Sequence, residues 1–292
     1  MPRGFGALPH EVATVWQYGS LVGDHGFGRC GMERLQPNGE TTLWKVQAPV
    51  DGVLKVLIGI SIGLTVLSIV VWTGWWHAQD IVTVDTVTIF DMDSEENVPT
   101  LYAVLLLAGG SILCGVVARA YERQSMPGSR YWDGLTAIFA LMATDEYVQL
   151  HERATEPLRA LLGIDGGWLY HAWVIPAALL LLAFGAVYLR FLFLIPRNIS
   201  IRLVVAGLIY VGGALGMELV GAALASSQGR LSLGYLVAMH VEELMEKVGA
   251  SLFIAAVLLH LTQVWPHGWR LHVVATGNDR DPGSTPSGNT GP

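Results

Sequence analysis

The sequence predicts an all-α, polytopic membrane helix bundle with about six transmembrane helices and both termini inside, and three observations carry that reading. The 292 residues are 52% hydrophobic and only 14% charged, with a mean hydropathy of +0.47; a soluble domain carries about 25% charged residues. The charges nearly vanish from several stretches of about twenty residues, the length a helix needs to cross roughly 30 Å of hydrocarbon. In that solvent every backbone N–H and C=O must be bonded within its own segment, which selects helices. Finally, Lys and Arg alternate in abundance from loop to loop, as expected of a chain threaded back and forth through a bilayer.

Taken in order, residues 1–50 form a mixed, Gly-rich polar segment on the cytoplasmic side, without a signal-peptide core. The transmembrane domain, residues 51–265, contains predicted spans at 53–74, 99–119, 133–152, 169–194, 202–225 and 235–263. Residues 266–292 read as a disordered cytoplasmic tail rich in Gly, Pro and Ser. With the N-terminus inside, the inner segments hold thirteen Lys and Arg residues, while the outer loops hold only Arg153, Arg159 and Arg230. The first outer loop is instead acidic, with Asp80, Asp85, Asp91, Asp93, Glu95 and Glu96. Trp72, Trp75, Trp76, Trp168 and Trp173 mark outer span ends, and Trp132, Trp265 and Trp269 inner ones. Gly109, Gly110, Ser111, Gly115, Gly212, Gly216 and Gly221 read as close helix contacts. The expected setting is the cell's inner (plasma) membrane, with the lipid bilayer as environment. A homo-oligomer or a membrane partner subunit fits that setting, and no basic nucleic-acid stripe is present.

Several spans carry charges that a bilayer penalises by at least about 2.5–3.5 kcal/mol each. The third holds Asp145 and Glu146, with His151 and Glu152 at its end. The fifth holds Glu218, and the sixth holds His240, Glu242, Glu243, Glu246 and Lys247. At 1.5 Å per residue, Asp145 lies roughly 18 Å, Glu218 roughly 24 Å and Glu243 roughly 18 Å from the inner edge. One level in the outer half of the membrane therefore gathers them. Asp145, Gln149 and Glu152 share one face by i, i+4, i+7 spacing, and His171 is placed to close the site from above.

Three chemistries fit. Asp145, Glu146, His151, Glu152, Glu218, His240, Glu243 and Glu246 could form a carboxylate–imidazole metal centre, for which iron, manganese or zinc is suited. The Glu-x-x-His pairs of ferritin-like bundles are absent, however. The same acids could instead relay protons or admit cations in a transport component. Or they could lock the bundle of a non-catalytic subunit, with Lys247 paired to Glu243, Arg153 to Glu152 or Glu156, and His240 to a neighbouring acid. His77, His260, His267 and His272 read as interface residues. Cys30 and Cys114 lie in different environments and predict no disulfide or CxxC site. His-Glu-x-x-His, phosphate-loop and Ser-nucleophile motifs are also absent from the sequence.

The segments FDMDSEENVPTLY (90–102), DEYVQLHER (145–153), GGALGMELVG (212–221) and VEELMEKVGASLF (241–253) resemble a family of uncharacterised bacterial integral membrane proteins. The resemblance spans roughly residues 85–262. It implies a multi-helix bundle, brings no activity with it, and makes the loop holding Asp91, Asp93 and Glu96 a lid over the outer site.

Overall fold

A computed structural model gives the structure of residues 50–78, 83–94 and 96–264. Most of the predicted 1–50 segment, the 266–292 tail, and Cys30, Asp80, Glu95, His267 and His272 lie outside these described residues. The described chain is helical, in keeping with the predicted all-α class. Its elements are α1 (Val50–His77), the short α2 (Val84–Phe90), α3 (Val98–Arg123), α4 (Ser129–Val148) and α5 (Leu150–Leu162). After a 3-10 turn (Gly167–Leu169) come α6 (Val174–Leu192), α7 (Arg197–Val211), α8 (Glu218–Gln228) and α9 (Leu233–Val264). A π-helical turn (Gly212–Met217) joins α7 to α8 in one continuous rod.

Five units are long and apolar enough to cross a membrane: α1, α3, α6, the α7–α8 rod and α9. The remaining predicted span corresponds to α4, whose Arg130, Asp133, Asp145 and Glu146 lower its apolar content. Its 20 residues still reach about 30 Å, and it lies antiparallel to α3. Ser111 Oγ donates to the Thr136 carbonyl at 2.8 Å, Tyr121 meets the Trp132 ring near one end, and the Phe139 ring covers Gly110.

The structure ends α4 earlier than the sequence pattern suggests. Gln149 adopts a left-handed conformation (φ 62°), and the chain turns there into α5. The chain beyond the predicted span end at residue 152, read from sequence as loop, thus belongs to a second helix that runs from Leu150 to Leu162. Asp145 and Glu152 fall on different helices, so the shared face predicted for them does not exist. The expected Arg153 pairing is replaced by Arg159 Nη1 on Glu156 Oε1 at 2.7 Å.

α9 runs through the middle of the bundle and is the most enclosed span. Its C-terminal half packs in a core with Cys114, Val117, Trp132, Phe191, Ile199, Leu203, Phe253 and Val257. Two sequence expectations are overturned in this core. Trp132 and His260 read as interface residues, yet they are 0% and 1% exposed and stack with ring centroids 5.3 Å apart. His260 Nε2 shares a 2.7 Å hydrogen bond with the Tyr121 hydroxyl. Tyr121→Phe removes that partner from a buried imidazole and is expected to cost about 1–3 kcal/mol, read as a lower thermal midpoint in detergent. An unchanged midpoint would mean that this bond contributes nothing to the fold.

Candidate functional site

The site is built where the α7–α8 rod and α9 come closest. A Cβ on Gly213 would sit 2.8 Å from the Glu242 carbonyl oxygen and 3.1 Å from Glu246 Cγ, and one on Gly249 would sit 2.7 Å from the Tyr210 nitrogen. Only glycine permits this approach. The π turn inserts its extra residue between Tyr210 and Glu218, a distortion that often marks functional positions. Together they set Tyr210 beside Glu246 in the lining of one small cavity, and Glu218 beside Glu242.

At the centre lies Lys247, 2% exposed and ion-paired through Nζ to Glu243 one turn earlier. A cavity of about 10 Å³, the scale of a single water, is lined by Glu146 of α4, Tyr210 of α7, and Glu246 and Lys247 of α9. Ala103, Leu106, Leu107 and Ala250 close it with apolar surface. One ammonium thus faces three carboxyl groups from two helices.

A second arm leads away along α9. Glu218 Oε1 accepts the Trp173 indole N–H at 2.7 Å and lies 3.0 Å from His171 Nδ1. The Glu218 and Glu242 carboxyls lie next to each other, and two carboxyl groups brought together in a low-dielectric interior favour the uptake of a proton. Beyond Trp173 stands His151, its ring 4.8 Å from the indole. Its Nδ1 lies 2.8 Å from Asp145 Oδ2, and its backbone N–H donates to Oδ1 at 3.1 Å. Trp173 therefore separates two carboxylate–imidazole pairs.

These geometries do not support the predicted metal centre. Among the described residues no three His, Cys, Asp or Glu side chains converge to hold an ion. Asp145 and His151 bind each other, Glu218 is engaged by Trp173, His171 and Glu242, and Glu243 faces Lys247, whose ammonium stands where a cation would sit. Glu152 is exposed on α5. His240 pairs with no acid, since its Nδ1 faces the Leu236 carbonyl at 2.7 Å and its Nε2 faces Ser68 Oγ at 3.1 Å. Of the eight residues, Glu146, Glu218, Glu243 and Glu246 do join the α9 network, along with Glu242 and Lys247. Trp173 and Tyr210 were missed as site residues because each reads in sequence as an ordinary interface or core aromatic.

The acidic loop does sit against the bundle. Asp91 Oδ1 accepts the Trp72 indole N–H at 2.9 Å, and Asp93 Oδ1 accepts the Tyr235 hydroxyl at 2.6 Å. Met92 is buried against Tyr235 and Met239, while Arg230 lies 3.9 Å from Asp93 Oδ2. Burial, the largest influence, holds the Asp93 carboxyl above the ordinary carboxylate range, although Tyr235 and Arg230 pull it down. Glu96 is exposed and takes no part.

No curated protein and no solved structure matches the chain. The family described as "Domain of unknown function (DUF8692)" matches residues 59–261, from the first turns of α1 to the last of α9, and so takes in the acidic loop and the whole carboxylate network. The chain belongs to the DUF8692 family.

Proposed function

We propose that this multi-pass membrane protein handles protons: its buried carboxylates and Lys247 form a relay in the half of the bilayer nearest the α4–α5 turn, in a transport or proton-coupled component. On the Lys/Arg distribution that half is the outer one, with the N-terminus cytoplasmic in the inner (plasma) membrane and α4 completing six crossings.

The observation that supports this reading best is the charge imbalance around the small cavity. Glu146, Glu243 and Glu246 surround one ammonium, and Glu242 and Glu218 continue the series. In a low-dielectric interior unpaired charges are too costly to keep, so this many carboxyl groups beside one lysine must be neutralised by protons. Protons held at hydrogen-bond contact are protons that can move. A tethered ammonium also makes a metal ion unnecessary.

The test uses the purified full chain in liposomes carrying a pH-sensitive dye, with a membrane potential set by a potassium gradient and valinomycin. The wild type is expected to acidify or alkalinise the lumen faster than empty vesicles. Glu246→Gln, isosteric and still able to hydrogen-bond Tyr210, is expected to slow this by about a hundredfold, the scale of losing one positioned proton-transfer group. Wild-type flux equal to that of empty vesicles, or a Glu246→Gln protein as fast as wild type, defeats the reading.

A further inference from the structure

We propose that His171 is the exchange group through which the buried carboxylates take up and release protons, at the end of the bundle where α4 finishes and α6 begins. This rests on the proton-handling reading above and names the place where that relay meets water.

The imidazole sits in the short turn between the 3-10 helix and α6, beyond the membrane-crossing part of α6. It is only 6% exposed, yet its Nε2 has no hydrogen-bond partner among the described residues. Leaving a buried polar atom unsatisfied costs about 1–3 kcal/mol, so a histidine there is unfavourable unless that nitrogen meets a ligand at some stage. Its other nitrogen lies 3.0 Å from Glu218 Oε1 but off the line of a good hydrogen bond. Glu218 in turn lies next to Glu242, which stands one helical turn before Glu246. His171 therefore has one face toward the network and one face unused.

The other described histidines do not offer this arrangement. Both nitrogens of His240 meet neutral oxygens, those of Leu236 and Ser68. His260 is bonded to Tyr121 in the core at the opposite end of α9. His151 is held by Asp145 and is separated from Glu218 by the Trp173 ring. Trp173 also donates to Glu218 Oε1, fixing that oxygen near His171.

The transfer balances as follows. Nε2 accepts a proton from water or hydronium and the ring becomes imidazolium. The proton on Nδ1 then passes to Glu218 Oε1, so one proton arrives and one leaves. The ring, now protonated on Nε2, returns to its starting tautomer when Nε2 gives that proton to water and Nδ1, turned toward water about Cβ–Cγ, takes one up. Glu218 passes a proton to the neighbouring Glu242 carboxylate, and Glu242 stands within a turn of Glu246. In the described state Nε2 is sealed from solvent, so uptake requires the 170–173 turn to open. That turn is tethered by Gly167 N–H to Ser226 Oγ (3.0 Å) and by Arg159 stacked 4.0 Å over the Tyr170 ring.

The experiment is chemical rescue in the same liposomes. His171→Ala is expected to lower the flux about a hundredfold, and millimolar imidazole is expected to restore most of it. His171→Gln, which keeps a polar group of similar reach, is expected to be equally slow because an amide does not relay protons at these pH values. Glu246→Gln is expected to stay slow with or without imidazole. Wild-type flux with undiminished His171→Ala and His171→Gln flux overturns the assignment of His171 and leaves the relay standing. A slow but monodisperse His171→Ala protein that imidazole does not restore, with a wild-type unfolding midpoint, overturns it in favour of a positioning role. A wild type without flux overturns both.

Discussion

Lys247→Met is expected to lower the stability of the protein by about 3–5 kcal/mol, the scale on which removing one partner of a buried ion pair leaves the other uncompensated. Methionine matches the length of the lysine stem, so the change in packing is small and the effect is electrostatic. The ammonium is 2% exposed and sits between Glu243, Glu146 and Glu246. Without it Glu243 loses its ion-pair partner and the cavity carboxyls lose the only positive charge lining their cavity. Tryptophan fluorescence on heating in detergent measures the shift. The double variant Lys247→Met/Glu243→Gln is expected to recover much of the loss, because the charge stranded by the first change is removed by the second. Glu243→Gln alone is expected to be milder, since Glu146 and Glu246 still face the ammonium. A Lys247→Met protein that melts with wild type would mean that the cluster carries no buried charge, and the proton-relay reading would lose its foundation.

The sequence made the bundle legible because a bilayer imposes a coarse rule. Twenty apolar residues without charge are read alike wherever they occur, so α1, α3, α6 and α9 fall within a few residues of their predicted spans. Where local backbone geometry overrides that rule, the reading fails. Gln149 takes a left-handed conformation that ends α4 and starts α5, and the pattern of leucines and charges around it gives no warning. The π turn at Gly212–Met217 is equally silent, though its glycines were read as contacts. Trp132 and His260 were misplaced because an amphipathic ring is equally at home in an interface and in a core that supplies a partner. In the site, the depth argument placed the acids at one level, and Glu146, Glu243 and Glu246 do stand around one lysine. It could not say which acid faces which, and the arrangement does not support a metal centre. Partner choice depends on helix rotation: Glu243 turns to Lys247, whereas Glu242, one residue earlier, turns to Glu218.

Gly249→Ala is expected to be the most damaging of the single-methyl additions, at about 1–3 kcal/mol with loss of proton flux. The added Cβ would lie 2.7 Å from the Tyr210 nitrogen and 2.8 Å from its Cα, so the obstacle is backbone and no side-chain rotation relieves it. α7 and α9 must separate at the level where Tyr210 and Glu246 line the small cavity. Two comparisons isolate the cause. A Cβ on Gly216 in the π turn meets nothing within 4 Å, and Gly216→Ala is expected to melt with wild type. A Cβ on Gly110 meets only the Phe139 ring, at 2.9 Å, so Gly110→Ala is expected to be rescued by Phe139→Leu. By contrast, Tyr210→Ala is expected not to rescue Gly249→Ala. If it does, the clash is with the Tyr210 side chain, and the helices need not approach as closely as the site requires. If Gly249→Ala melts with wild type but carries no flux, the spacing of α7 and α9 sets proton transfer without setting stability, and Tyr210–Glu246 becomes the contact to vary next.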